Sequence, residues 1–183
     1  MIIFKVPEIE GIRVSKIASA DDARGSFVKF QPSIEFEGSL DSIAFSSNPQ
    51  IGTIRGLHFQ IEPFAEEKLV TCVQGIVFDV AVDLRPTSQT FGKWTSFELS
   101  AVNGLQVYLP KGIAHGFQTL EANSIVHYAL SSSYSPEFSY AIDPFGGLGI
   151  DWPLNVNSIS ERDRSGISIS DAGNKYAESL KKL

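Results

Sequence analysis

Short apolar runs recur along the chain about every ten residues, at 11–17, 26–30, 42–47, 53–60, 68–74, 76–84, 94–100, 105–109, 113–120 and 124–131. Runs of that length, separated by turn-forming residues, predict an antiparallel sandwich or barrel. The clearest is Ile76-Val-Phe-Asp-Val-Ala-Val-Asp-Leu84. Ile76, Phe78, Val80, Val82 and Leu84 share one face at period two, while Asp79 and Asp83 take the other. One face is therefore expected to pack and the other to meet polar surroundings. Helical periodicity is confined to the end, in Lys175-Tyr-Ala-Glu-Ser-Leu-Lys-Lys-Leu183, with one further turn expected around Ser33 to Phe36. From Ser131 to Gly149 serine, proline and glycine accumulate, and Asp143-Pro-Phe-Gly-Gly is rich in turn formers, so a long loop folded over the sheet is expected there. There is no internal repeat.

Composition narrows the class. The 183 residues, 43% hydrophobic and 20% charged, suit one globular domain spanning 1–183. A net charge of -6 argues against a nucleic-acid surface, although a local basic cluster can still hold one anionic small molecule. The first residues lack the pattern of a secretory signal, and no apolar stretch is long enough to span a membrane, so a soluble cytoplasmic protein is expected. The lone Cys72, inside Leu69-Val-Thr-Cys-Val73, has no disulfide partner in the chain and reads as a small core residue in a reducing compartment.

The chemistry concentrates at two places. Two of the three histidines lie in Thr53-Ile-Arg-Gly-Leu-His-Phe-Gln60 and Leu109-Pro-Lys-Gly-Ile-Ala-His-Gly-Phe117, each near glycine in a strand pattern. The spacing Gly104, Pro110, Gly112, His115 matches the second motif of the cupin superfamily, a jelly-roll β-barrel in which the returning strand would aim His115 into the barrel mouth. Many cupins add a His-x-His pair to hold a metal. Here His58 has no partner two residues on, and alternation along Ser124-Ile-Val-His-Tyr-Ala-Leu130 sets His127 and Tyr128 on opposite faces, so no metal site is expected and His127 reads as structural.

Together the segments Asp22-Ala-Arg-Gly-Ser-Phe27, Arg55-Gly-Leu-His-Phe-Gln60, Lys68-Leu-Val70, Phe78 to Arg85, Thr90-Phe-Gly92, Pro110 to Phe117, Tyr134-Ser-Pro136 and Gly149-Ile-Asp-Trp-Pro153 resemble the dTDP-4-dehydrorhamnose 3,5-epimerases. The resemblance implies an all-β cupin jelly roll with a minor C-terminal helix, and an isomerase acting on a nucleotide-diphosphate 4-keto-6-deoxyhexose without a cofactor. In a 4-ketohexose the carbonyl acidifies the C3 and C5 protons. Epimerisation then needs a base on one face, a stabiliser for the enolate oxygen and an acid on the other face. His58, whose side-chain type titrates near neutrality, is the natural base. By resemblance Asp163, in Ser160-Glu-Arg-Asp163, orients it. Lys68 would meet the C4 oxygen, and Tyr128 would return the proton. Arg24 and Arg55 would face the diphosphate, Phe27 and Gln60 would complete substrate binding, and His115 would contact the sugar or assist the base. A homodimer is implied, with an N-terminal strand exchanged so that residues near Arg24 complete the neighbouring site.

Each assignment has a structural rival. His58 and Tyr128 could be hydrogen-bonded core residues, Lys68 a solvated charge beside Glu66 and Glu67, and Asp163 a helix or turn cap. Strict alternation sets Arg55 opposite His58, so a joint role requires a bulge near Gly56. Three departures from the family touch nucleotide recognition: Lys29 stands where an acidic residue is usual, Ile43 to Gln50 lacks the Gln and Asn that many members aim at the nucleotide, and Ser133 replaces an aromatic before Tyr134. An altered nucleotide, a single-site C3 or C5 epimerase, a non-catalytic sugar-nucleotide-binding cupin and a metal cupin remain as alternatives at this level.

Overall fold

Strands form at every run that the period-two pattern marks. The computed structural model describes residues 9–30, 36 and 39–182. In chain order the strands are β1 (Arg13–Lys16), β2 (Ser19–Asp22), β3 (Gly25–Val28), β4 (Ser42–Asn48), β5 (Ile54–Gln60), β6 (Lys68–Gln74), β7 (Ile76–Asp83), β8 (Trp94–Ser100), β9 (Leu105–Leu109), β10 (Ile113–Thr119), β11 (Ser124–Leu130) and β12 (Ser139–Ala141). The helices are α1 (Glu161–Arg164) and α2 (Ile169–Leu180). Two five-stranded antiparallel sheets, ordered β1-β9-β6-β11-β4 and β12-β5-β10-β7-β8, face each other, and β2 and β3 form a separate hairpin. This is the jelly-roll arrangement, with the chain passing repeatedly from one sheet to the other.

The interior divides along its length. Toward one end Val14, Val70, Val77, Ala81, Val107 and Phe117 pack from both sheets into an apolar core. Toward the other, polar side chains line a cavity. A second apolar cluster lies on the outer face of the second sheet, where Leu57, Phe59, Val80, Val82, Leu84 and Ala114 meet Ile142, Trp152 and Ala172 of the C-terminal third. Each large side chain buried there contributes about 1.5 to 3 kcal/mol of transfer free energy.

This second cluster shows where the two faces of β7 lie. Its apolar face does pack, but outward against the C-terminal segment, and its carboxylates point into the barrel. Asp79 and Asp83 are both fully buried. Asp83 accepts from Arg85, Ser88 and Thr90. Burial works against its ionisation, yet these donors hold its pKa at about 2.

Two other expectations shift. The stretch from Ser131 to Gly149 is not all loop, because β12 pairs with β5. The last helix starts at Ile169 rather than near Lys175, capped by Ser168, whose hydroxyl accepts from Asp171 N–H. Gly173 masked the start. It lowers helix propensity, but the ring of Phe91 lies 2.5 Å from where a Cβ would stand, so the packing needs a glycine. Of the turn expected around Ser33 to Phe36, residues 33–35 lie outside the described residues, and Phe36 packs edge-on to Tyr108.

Candidate active site

The site begins with an irregularity in β5. Against β10, His58 pairs with His115 but Arg55 pairs with Phe117, so β5 carries one residue more than its partner over this stretch. The bulge falls at Gly56 and Leu57, whose peptide bond is cis. Gly56 has φ +114, and a Cβ there would stand 2.6 Å from Gly116 Cα and 2.7 Å from His115 O. Only glycine fits such an approach. The extra residue turns Arg55 and His58 toward one cavity, which answers the conflict that strict alternation raised.

That cavity, of about 260 Å³, opens between the sheets. Arg55, His58 and Gln60 of β5 and His115 of β10 line one wall, while Ala44 and Ser46 of β4, Lys68 of β6 and Tyr128 of β11 line the other. His58 and Tyr128 therefore approach the space from opposing sheets. Tyr134 and Arg162 also line it.

Two histidine–carboxylate pairs back it. His58 Nε2 lies 2.7 Å from Asp163 Oδ1, and Asp163 Oδ2 accepts the Gly56 N–H at 3.1 Å. Asp163 is buried, whereas the His58 side chain is 39% exposed, so the carboxylate is shielded and the imidazole is open to the cavity. Burial alone would raise the Asp163 pKa, but the hydrogen bond and charge of His58, the Gly56 N–H and Ser160 outweigh it and hold the carboxyl below its ordinary value. The cap role belongs to Ser160, whose hydroxyl accepts the Asp163 N–H. In the second pair His115 Nε2 lies 2.6 Å from Asp79 Oδ2, and both residues are buried.

Lys68 is buried, not solvated. Its ammonium sits 3.2 Å from Glu66 Oε1 and donates to the His58 carbonyl at 3.2 Å, which leaves one N–H for the cavity. Burial pushes the Tyr128 phenol well above its ordinary pKa, opposed by a Ser46 hydrogen bond and the charge of Arg55. Tyr128 is thus a neutral O–H donor at physiological pH.

The chain brings His58, Lys68, Tyr128, Asp163, Arg55, Gln60 and His115 together. Gln60 is held by the chain itself: its amide donates to Phe64 O and Ser133 O, and its oxygen accepts the Ser135 N–H. It braces the loops beside the cavity. Arg24 and Phe27 are not brought in. They stand on the β2–β3 hairpin, Arg24 paired with Asp22 and Phe27 70% exposed. His127 points away, between the rings of Phe30 and Phe45 on the outer face. Sequence reasoning missed Asp79 and Arg162. Asp79 was visible only as a carboxylate on a β-strand, and Arg162 was overshadowed by Asp163 beside it. The stretch from Ile43 to Gln50 also proves less bare than expected, because Asn48 accepts from Arg55 Nε at 2.7 Å. Among the described residues no three His, Cys, Asp or Glu side chains gather as a metal-holding group.

Fold and cavity define a cupin-type jelly roll whose interior is equipped for acid–base chemistry. The profile of the dTDP-4-dehydrorhamnose 3,5-epimerases matches residues 7–171, and the chain belongs to that family. It is 41% identical over 175 residues to the dTDP-4-dehydrorhamnose 3,5-epimerase of Sinorhizobium fredii, covering 91% of this chain and 87% of that one. It is similar to the crystal structure of the Bacillus anthracis dTDP-4-dehydrorhamnose 3,5-epimerase with TDP and PPi bound, at a TM-score of 0.85 and 33% identity, covering 91% and 98% of the two chains. It is equally similar to a dTDP-6-deoxy-D-glucose-3,5-epimerase from Legionella pneumophila in complex with dTDP-4-keto-L-rhamnose, at a TM-score of 0.85 and 34% identity over 92% of each chain.

Proposed function

We propose that this chain is a nucleotide-sugar isomerase that inverts C3 and C5 of dTDP-4-dehydro-6-deoxy-D-glucose to give dTDP-4-dehydro-L-rhamnose. The observation that carries the reading is the opposition of His58, backed by Asp163, to Tyr128 across one cavity, with Lys68 between the same walls. His58 takes the proton α to the C4 carbonyl, and its new positive charge is met by Asp163. The electron pair moves onto the C4 oxygen, where the remaining Lys68 N–H stabilises the enolate. Tyr128 then gives its proton to the carbon from the opposite face, which inverts it. The raised pKa of the half-buried phenol keeps that proton in place until the enolate forms, and an enolate carbon is basic enough to take it. Arg55 and Arg162 supply the positive charge that a diphosphate requires, and His115, held by Asp79, faces the sugar. Arg24 and Phe27 act from the neighbouring copy in a homodimer, reaching its cavity on the exposed β2–β3 hairpin. The proposed location is the cytoplasm, in keeping with the buried free thiol of Cys72.

Proton NMR of the dTDP sugar in deuterated water, with a His58→Ala control, tests the reading. Exchange at C3 and C5 with the wild type alone supports it. Exchange at one carbon defines a single-site epimerase. No exchange with the dTDP, CDP or GDP sugars overturns the reading and leaves a binding protein.

A further inference from the structure

The arginines that line the cavity are held differently from Arg24 and Arg85. Arg24 is paired with Asp22, and Arg85 lies 2.9 Å from Asp83, so a carboxylate meets each of those guanidinium groups. Arg55 and Arg162 line the cavity and are anchored by neutral groups. Arg162 donates to Ser139 O at 3.2 Å, Ser139 Oγ at 2.9 Å and Tyr134 Oη at 3.3 Å. Arg55 donates its Nε–H to Asn48 Oδ1 at 2.7 Å. Among the described residues neither takes part in an ion pair.

The anchor of Arg55 is the more rigid of the two. Asn48 is fully buried at the end of β4, whereas Arg55 is exposed on β5. The amide is oriented from both sides. A guanidinium can only donate, so Oδ1 faces Arg55, and the NH₂ meets the carbonyls of Ser46 and Ser124, each at 3.1 Å. Ser124 is also the residue that Asn48 opposes on β11, so the amide is tied to the sheet at one end and holds a cavity-lining cation at the other. With Nε engaged, the side-on edge of the guanidinium is closed and the end-on pair, Nη1 and Nη2, is left. Among the described residues those two groups make no hydrogen bond. Such a fork matches two oxygens of one phosphate. Asn48 is neutral, so the positive charge is not cancelled, and a long side chain already held in place loses less freedom on binding.

On the reading of the cavity as a nucleotide-diphosphate site given above, we propose that Asn48 is a positioning residue for substrate binding. It sets Arg55 end-on toward a phosphate group while leaving the charge of the guanidinium intact. An aspartate in its place would hold Arg55 as Asp83 holds Arg85, and would cancel that charge.

Calorimetric titration with TDP tests the proposal. Asn48→Ala is expected to weaken TDP binding about tenfold. KM for the dTDP sugar should rise by a similar factor, with kcat within about twofold of wild type. In an Arg55→Ala background Asn48→Ala should weaken binding no further, because Asn48 acts through Arg55 alone. An asparagine with a merely structural role would cause the same loss in both backgrounds. Asn48→Asp keeps the acceptor and should also lower TDP affinity, and it carries the test if Asn48→Ala does not fold. Wild-type affinity in a folded Asn48→Ala protein, an equal loss in the Arg55→Ala background, or wild-type affinity in Asn48→Asp overturns the proposal. If the wild type binds none of TDP, CDP and GDP, the diphosphate reading of the cavity falls, and the proposal with it.

Discussion

Replacing Asp163 by Asn exchanges one carboxylate oxygen for an NH₂ of nearly the same size, and the surroundings decide which oxygen is exchanged. The Gly56 N–H points at Oδ2 from a backbone held in place by the β5 bulge. A buried N–H requires an acceptor, so the amide is expected to leave its oxygen there and present NH₂ to His58 Nε2. In the proposed mechanism Asp163 accepts the Nε2 proton and Nδ1 keeps a lone pair for the substrate. With the substituted amide as donor, Nε2 must accept, the proton moves to Nδ1, and the base has no lone pair facing the cavity. Turning the amide round would restore the tautomer but would orphan the Gly56 N–H, at about 1 to 3 kcal/mol. Either way the negative charge that meets the protonated imidazole is gone, and charge-assisted hydrogen bonds are roughly twice as strong as neutral ones.

The sum is about 3 to 5 kcal/mol in the transition state, or roughly a 10²- to 10⁴-fold fall in kcat. KM should stay within about threefold, because Asp163 does not face the cavity. Steady-state kinetics with the dTDP sugar reads both constants, and thermal denaturation checks the fold. The acid side offers a second readout. Asp163 titrates below its ordinary value of 3.8, so its contribution to stability is complete above that pH and is lost as the pH falls through the folded value. The variant should lack that loss. A kcat within about threefold of wild type in a folded Asp163→Asn protein would refute the tautomer argument and leave His58 acting without this carboxylate.

Gly56→Ala should lower Tm by about 6 to 12 °C, from roughly 3 kcal/mol of clash and backbone strain; a shift under about 2 °C on thermal melting would show that the bulge tolerates a Cβ. The Asp83 pKa of about 2 makes that carboxylate worth roughly 2 kcal/mol above pH 4, fading as the pH falls from 4 to 2, so urea melts of wild type and Asp83→Asn should differ at pH 7 and converge near pH 2. An unchanged difference at low pH would refute this. Mixing refolded Arg24→Ala and His58→Ala chains should recover about a quarter of wild-type activity, since half the dimers are mixed and each holds one intact site. No recovery on mixing would place Arg24 outside a neighbour's cavity.

What the sequence disclosed was whatever the backbone decides locally. Period-two alternation placed β5, β6, β7, β10 and β11 to within a residue or two, and it assigned His127 and Tyr128 to opposite faces correctly because β11 keeps a regular register with both β6 and β4 from Val126 to Leu130. Alternation also set Arg55 against His58, a conflict that pointed to the bulge at Gly56 before its geometry was known. On β7 the two faces were told apart but not their direction. Alternation separates two faces but does not say which is inside, and here both are buried, the apolar one beneath a C-terminal segment that the pattern of β7 does not reveal. Asp79 was lost with it. The pairing of Asp163 with His58 spans 105 residues. It came from resemblance alone, since no local signal distinguishes a carboxylate that caps α1 from one that reaches a strand. Residue identity supplies the donors and acceptors, whereas the pairing of distant strands decides which of them meet at the cavity.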